Sequence, residues 1–71
     1  MAITLRAARV NKNLTQEQAA ELLGTTAAAV GNWERGISFP KIPMIKKIEE
    51  VYGLPYSEII FLPEDNGKTV F

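Results

Sequence analysis

Only Gly24, Thr25 and Thr26 are available to end one helix and begin the next in the stretch "TQEQAAELLGTTAAAVGNWERG", Thr15 to Gly36. Thr15 with Gln18 three residues on fits a capping box, so a helix is predicted from about Gln16. It carries Ala19, Ala20 and Leu23, and Gly24 closes it with the positive φ that a tight turn needs. The Thr26 hydroxyl can cap the following helix, whose buried face is given by Val30 and Trp33, and Gly36 ends that helix. So short a joint does not suit an antiparallel hairpin of long helices. It suits two short helices crossing at a steep angle. Ala20 would stand at the crossing, where a larger side chain would push the helices apart.

Leu5 and Ala8, joined by Ile3, form an apolar stripe at helical spacing, with Arg6 and Arg9 beside it. Asn13 is a candidate left-handed cap after that first helix. "ISFPKIP" is a connector fixed by two prolines, and Pro43 suits the first turn of a fourth helix lined by Met44, Ile45, Ile48 and Val51 or Tyr52. "PYSEIIF" predicts a short fifth helix begun at Pro55 and carrying Ile59 and Ile60. "LPEDNGKTVF" breaks the pattern with a turn signal and a strand-prone end. The expectation is an all-α domain of five short helices over residues 1–61, followed by an extended or loosely ordered tail, 62–71.

The 71 residues allow one small domain with a thin stability margin. There is no cysteine and no histidine, which removes disulfides, thiolate metal sites and the commonest general base. Glu49 and Glu50 are adjacent on a helix and point in different directions, so they make no acid–base pair. No enzyme activity, cofactor, metal or small-molecule ligand is expected. No apolar run approaches the roughly 20 residues of a membrane span, and the N-terminus lacks the pattern of a secretory signal, so a cytoplasmic protein is expected. Formal net charge is zero, but it is unevenly spread. Residues 1–47 hold seven Lys and Arg against three Glu; residues 48–71 hold one Lys against five acids. Such asymmetry fits a polyanion-binding face or an ordinary mixed surface.

The steep helix pair, with "LRAARVNKNL" before it and "IKKIEEVYGLPYSEI" after, resembles the phage repressor and Cro family, the lambda-repressor-like or Xre-type helix-turn-helix proteins. The resemblance runs from residue 3 to about 61. It implies a helix-turn-helix made by the second and third helices and a role in transcription regulation. The second domain of full-length phage repressors has no counterpart here, so a Cro-sized repressor, phage or prophage related, is expected. In the family a glutamine at the start of the second helix contacts a DNA phosphate, and Gln16 holds that place. Free N–H groups and the positive end of a helix dipole favour an anion there in any case. Thr15 is primarily a cap with a phosphate contact as a secondary role. Arg9 and Glu34 match a partly buried ion pair joining the first and third helices.

In the family the cap and first residues of the third helix enter the major groove, with another reader a turn later. The resemblance places Thr26, Ala27, Ala28 and Asn32 there, with Gly31 facing solvent or DNA between them. Asn32 is the base-reading candidate for adenine, and alanines can touch the thymine methyl. Arg35, Ser38 and Lys41 are candidate phosphate contacts. Lys46 and Lys47 solvate the fourth helix, and nothing in the sequence assigns a role to Arg6 or Lys12. Trp33 is read as core, not as a base-stacking group. Leu22, Ile37 and Phe39 depart from the family by standing where polar or basic residues are usual, which implies modest affinity and a shallow salt dependence. Family members usually dimerise on inverted-repeat operators, so a homodimer on double-stranded DNA is expected, with Ile60, Phe61, Val70 and Phe71 as candidate dimer contacts. The alternative is a protein-interaction module on the same fold, an antitoxin or antirepressor partner.

Overall fold

The computed structural model describes residues 2–61, so the expectations for the 62–71 tail, including Val70 and Phe71, lie outside the described residues. The elements run β1 (Ile3–Thr4), α1 (Leu5–Asn11), α2 (Gln16–Leu23), α3 (Ala27–Arg35), α4 (Ile42–Tyr52), a 3-10 turn (Tyr56–Glu58) and β2 (Ile59–Ile60). Each of the first three helices begins where a threonine hydroxyl accepts a backbone N–H three residues on. Thr4 takes that of Ala7 at 3.0 Å, Thr15 that of Gln18 at 3.0 Å, and Thr26 that of Ala29 at 3.1 Å. At Thr15 the box is reciprocal: its own N–H donates to Gln18 Oε1 at 2.9 Å. Pro43 lies in the first turn of α4, where its missing N–H costs nothing. Asn13 takes the left-handed conformation, φ 60°, that lets the chain reverse after α1.

The helices enclose one core. Leu23 of α2, Val30 of α3 and Ile48 of α4 are its largest fully buried side chains, joined by Leu5, Ala8, Ala19, Ala20 and Tyr52. Trp33 is half-buried and packs against this cluster, as do Met44, Ile45 and Val51.

The fifth helix does not form. After Pro55 the chain completes one 3-10 turn, with the Glu58 N–H on the Pro55 carbonyl at 2.9 Å, and then extends at Ile59 (φ −119°, ψ 131°). Ile59 and Ile60 pair in parallel with Ile3 and Thr4. Two reasons favour this. The residues are β-branched, and the pairing gives backbone groups at both ends of the described chain a partner. Exposure alternates accordingly, with Ile59 buried, Ile60 exposed and Phe61 buried. Ile3 therefore belongs to this two-residue strand and not to the stripe of α1. The fold remains a mostly helical one, with four α-helices.

Deleting the side chain at the centre of this packing tests it. Leu23→Ala is expected to cost about 2–5 kcal/mol, a large share of what so small a domain has. Urea denaturation should show the midpoint falling sharply; a midpoint within error of the parent would mean Leu23 is not at the core.

Candidate nucleic-acid interface

The joint between α2 and α3 follows from Gly24, whose φ of 75° lies in the left-handed region, and from Thr25, whose N–H returns to the Ala20 carbonyl at 2.9 Å. The turn thus seals the end of α2 and starts α3 within three residues. Ala20 of α2 is buried in the core cluster, and Val30 and Trp33 hold α3 against it. Two short helices packed on each other across a three-residue joint are what the sequence predicts.

Beneath it lies a charged network. Arg9 Nε donates to Glu34 Oε2 at 2.6 Å and Nη2 to Oε1 at 3.2 Å, a bidentate pair between α1 and α3. Arg9 Nη1 donates to the Leu14 carbonyl at 2.7 Å, so the same guanidinium also holds the loop before α2. Both side chains are less than a tenth exposed. The hydrogen bond to Glu34 raises the Arg9 pKa, against the effect of burial, and keeps the group charged. Gln16 joins through Nε2, which donates to Glu34 Oε1 at 3.2 Å. Tyr52 packs nearby, and its phenol is pushed up to about 12, first by burial and then by the Glu34 carboxylate, with Arg9 opposing.

A cleft of about 500 Å³ opens above this network, lined by Arg6, Arg9, Gln16, Gly31, Glu34 and Arg35. Its walls hold the N-terminal residue of α2 and two exposed arginines, which is the chemistry that receives an anion. Arg6 is a wall residue to which the sequence reading gave no role. Its spacing of three from Arg9 on one helix was the available signal, since such residues share a face.

The remaining candidates divide by position. Thr15, Thr26 and Ala28 are exposed, and both threonine hydroxyls are occupied as caps. Ala27 and Asn32 are half-buried; Arg35, Ser38 and Lys41 are exposed. Asn32 is already engaged: its Oδ1 accepts from Arg35 Nη2 at 2.8 Å. Gly31, expected to face solvent or DNA, lines the cleft. It is buried, and a Cβ there would lie 3.3 Å from Gln16 Nε2 and 3.2 Å from Arg35 Nη1, so it forms the floor on which both side chains rest. Phe61 is not a surface contact either. It is buried, stacked on Tyr56 at 4.8 Å between ring centroids and tilted against Phe39 at 5.7 Å, while Ile60 is exposed. Phe39 therefore packs under its loop by one face. Among the described residues no group of His, Cys, Asp or Glu could hold a metal ion, and no helix is long and apolar enough to cross a membrane.

Two short helices joined by a three-residue turn, with a cleft at the start of the first lined by Arg6, Gln16 and Arg35, have the form of a helix-turn-helix of the DNA-binding, lambda-repressor-like class. The helix-turn-helix family model matches residues 5–59, and the chain belongs to that family. It is 36% identical over 56 residues to the HTH-type transcriptional activator BcrR of Enterococcus faecalis, covering 79% of this chain and 28% of that protein. It is 31% identical over 62 residues to the cryptic phage CTXphi transcriptional repressor RstR of Vibrio cholerae, covering 87% and 56%. With the HTH-type transcriptional regulator PuuR of Escherichia coli it shares 39% over 56 residues, covering 79% and 30%. The chain thus spans between about a quarter and just over half of the length of these relatives. No solved structure matches it.

The network yields two expectations. Arg9→Met leaves the Glu34 carboxylate buried without its partner and should cost about 3–5 kcal/mol, whereas Arg9→Met with Glu34→Leu should recover much of the loss. Chemical denaturation of both variants checks this, and equal losses in the two would mean the pair is not coupled. The Tyr52 phenol gives the second. Its folded value near 12 lies above the ordinary 10, so the native state holds the proton more tightly than the unfolded chain. That contribution is complete below about pH 10 and is lost as pH rises towards 12, by about 1.4 kcal/mol per pH unit. Stability measured across this range should fall more steeply in the parent than in Tyr52→Phe.

Proposed function

We propose that this chain is a sequence-specific transcriptional regulator of the repressor type, which lays α3 in the major groove of double-stranded DNA and sets the start of α2 against the phosphate backbone. The observation that carries the reading is the cleft at Gln16, in which a neutral amide donor and the exposed Arg6 and Arg35 surround a helix N-terminus beside the reading helix. Phosphates held there would fix the register of α3, with Thr26, Ala27, Ala28 and Asn32 towards the bases. Ser38 and Lys41, exposed after α3, extend the backbone contact. Thr15 contributes mainly as a cap.

The similarity to a phage repressor supports a phage or prophage origin. The reading includes a homodimer on an inverted repeat, since one such motif covers only a few base pairs. Ile60 is the described candidate contact for that dimer. A cytoplasmic, non-enzymatic role accompanies it. A second reading, a protein-interaction module, is favoured by Leu22 and Ile37, which are 59% and 67% exposed at positions where the family is usually polar or basic.

Fluorescence anisotropy with duplex DNA from upstream of the coding sequence separates the two. A regulator should bind in the presence of competitor DNA, lose about tenfold on Asn32→Ala, and show a shallow salt slope. Absence of binding below high micromolar concentration at low salt would sink the regulator and favour the interaction module.

A further inference from the structure

Gly31 lies inside α3, where its backbone has no positive φ. The position therefore does not use the conformational freedom of glycine, and alanine would suit the helix better. What the position lacks is a side chain, and two neighbours fill the space. A Cβ there would lie 3.3 Å from Gln16 Nε2 and 3.2 Å from Arg35 Nη1, both tighter than an ordinary van der Waals contact. Each of these side chains is held by a bond of its own. Gln16 Nε2 donates to Glu34 Oε1 at 3.2 Å, and Arg35 Nη2 donates to Asn32 Oδ1 at 2.8 Å. A methyl group at 31 would press on both, so neither could keep its present place unaltered.

Both nitrogens still have hydrogens to give. An amide nitrogen carries two, and Gln16 spends one on Glu34. Arg35 Nη1 carries two more and is not the nitrogen that holds Asn32. One donor from α2 and one from α3 thus lie within 3.3 Å of a common point. Donors that close can each bond a different oxygen of one phosphate at the usual length of about 2.9 Å. The neighbouring Glu34 charge is balanced by Arg9 at 2.6 Å. The cleft presents the charge of the exposed Arg6 and Arg35.

We propose that Gly31 is a positioning residue: by leaving out a side chain it lets Gln16 of α2 and Arg35 of α3 meet over one point and hold the same DNA phosphate together. This rests on the reading that the cleft receives the phosphate backbone while α3 docks in the major groove.

Selection from a random duplex pool supplies the DNA. Fluorescence anisotropy with the enriched duplex, over a range of salt, then gives affinity and salt slope. The full chain is compared with Gly31→Ala, with Gln16→Ala combined with Arg35→Ala, and with the triple variant. Gly31→Ala should melt at or above the parent's temperature, because alanine favours a helix. Its affinity should nonetheless fall about tenfold, and its salt slope should drop by about one. It should enrich the same sequence as the parent, since a phosphate contact carries no base information. In the background that lacks both side chains, Gly31→Ala should have no further effect. Parent-like affinity and slope in Gly31→Ala overturn the proposal, because the two side chains then do not need the space. An altered sequence preference overturns it as well, since position 31 would then face a base. So does an equal loss in both backgrounds, which means that the methyl group strikes the DNA itself. A parent that enriches no sequence and binds no duplex at low salt overturns the docking, and the proposal with it.

Discussion

The Arg9 guanidinium serves three segments at once. Its Nε and Nη2 hold the Glu34 carboxylate of α3, and its Nη1 holds the Leu14 carbonyl just before α2. Neither charge could be buried alone, because desolvation of an unpaired ion costs several kcal/mol. Together, with Gln16 on the second carboxylate oxygen, they leave few polar atoms unmatched. The net stability from such a pair is small against an apolar replacement of the same volume. What it supplies is placement: the start of α2 and the last turn of α3 are referred to the same two side chains. The cleft inherits its geometry from it.

That placement matters because the helices are too short to be stable by themselves. α1 has seven residues and α2 has eight, well below the roughly 12 at which an isolated helix becomes even marginal. Their ends are therefore defined by threonine caps and left-handed residues, and their axes by a few fully buried side chains. Leu23, Val30 and Ile48 come from three different helices, so none of these three helices can be moved away without opening the centre. The two-residue strand pair adds a closure that brings Ile3 beside Ile59 and secures both ends of the described chain.

Most of this was legible in the sequence because it is written in local chemistry. A threonine three residues before a glutamine, a glycine at a joint and a proline in a first turn each have one cheap conformation, and the structure adopts them at Thr15, Gly24 and Pro43. The helix-turn-helix was legible for that reason. What failed depended on non-local partners. Ile59 and Ile60 are apolar neighbours that suit a helix or a strand, and only the presence of Ile3 and Thr4 alongside decides for the strand. Phe61 read as surface because its cover, Tyr56 below and Phe39 from another loop, is assembled by folding. The resemblance places Gly31 facing solvent or DNA, but it does not show that Gln16 and Arg35 fold over the gap that Gly31 leaves.

Gly31 also stands out within α3. A glycine inside a helix costs about 0.5–1 kcal/mol relative to alanine, and α3 already begins with three alanines that would serve as well for propensity. The cost is understandable if the empty space has a use, and both Gln16 and Arg35 occupy it. One side chain belongs to α2 and the other to α3. Small residues at 27, 28 and 31 thus leave little side chain over the backbone of α3, and at Gly31 the space is taken by Gln16 and Arg35.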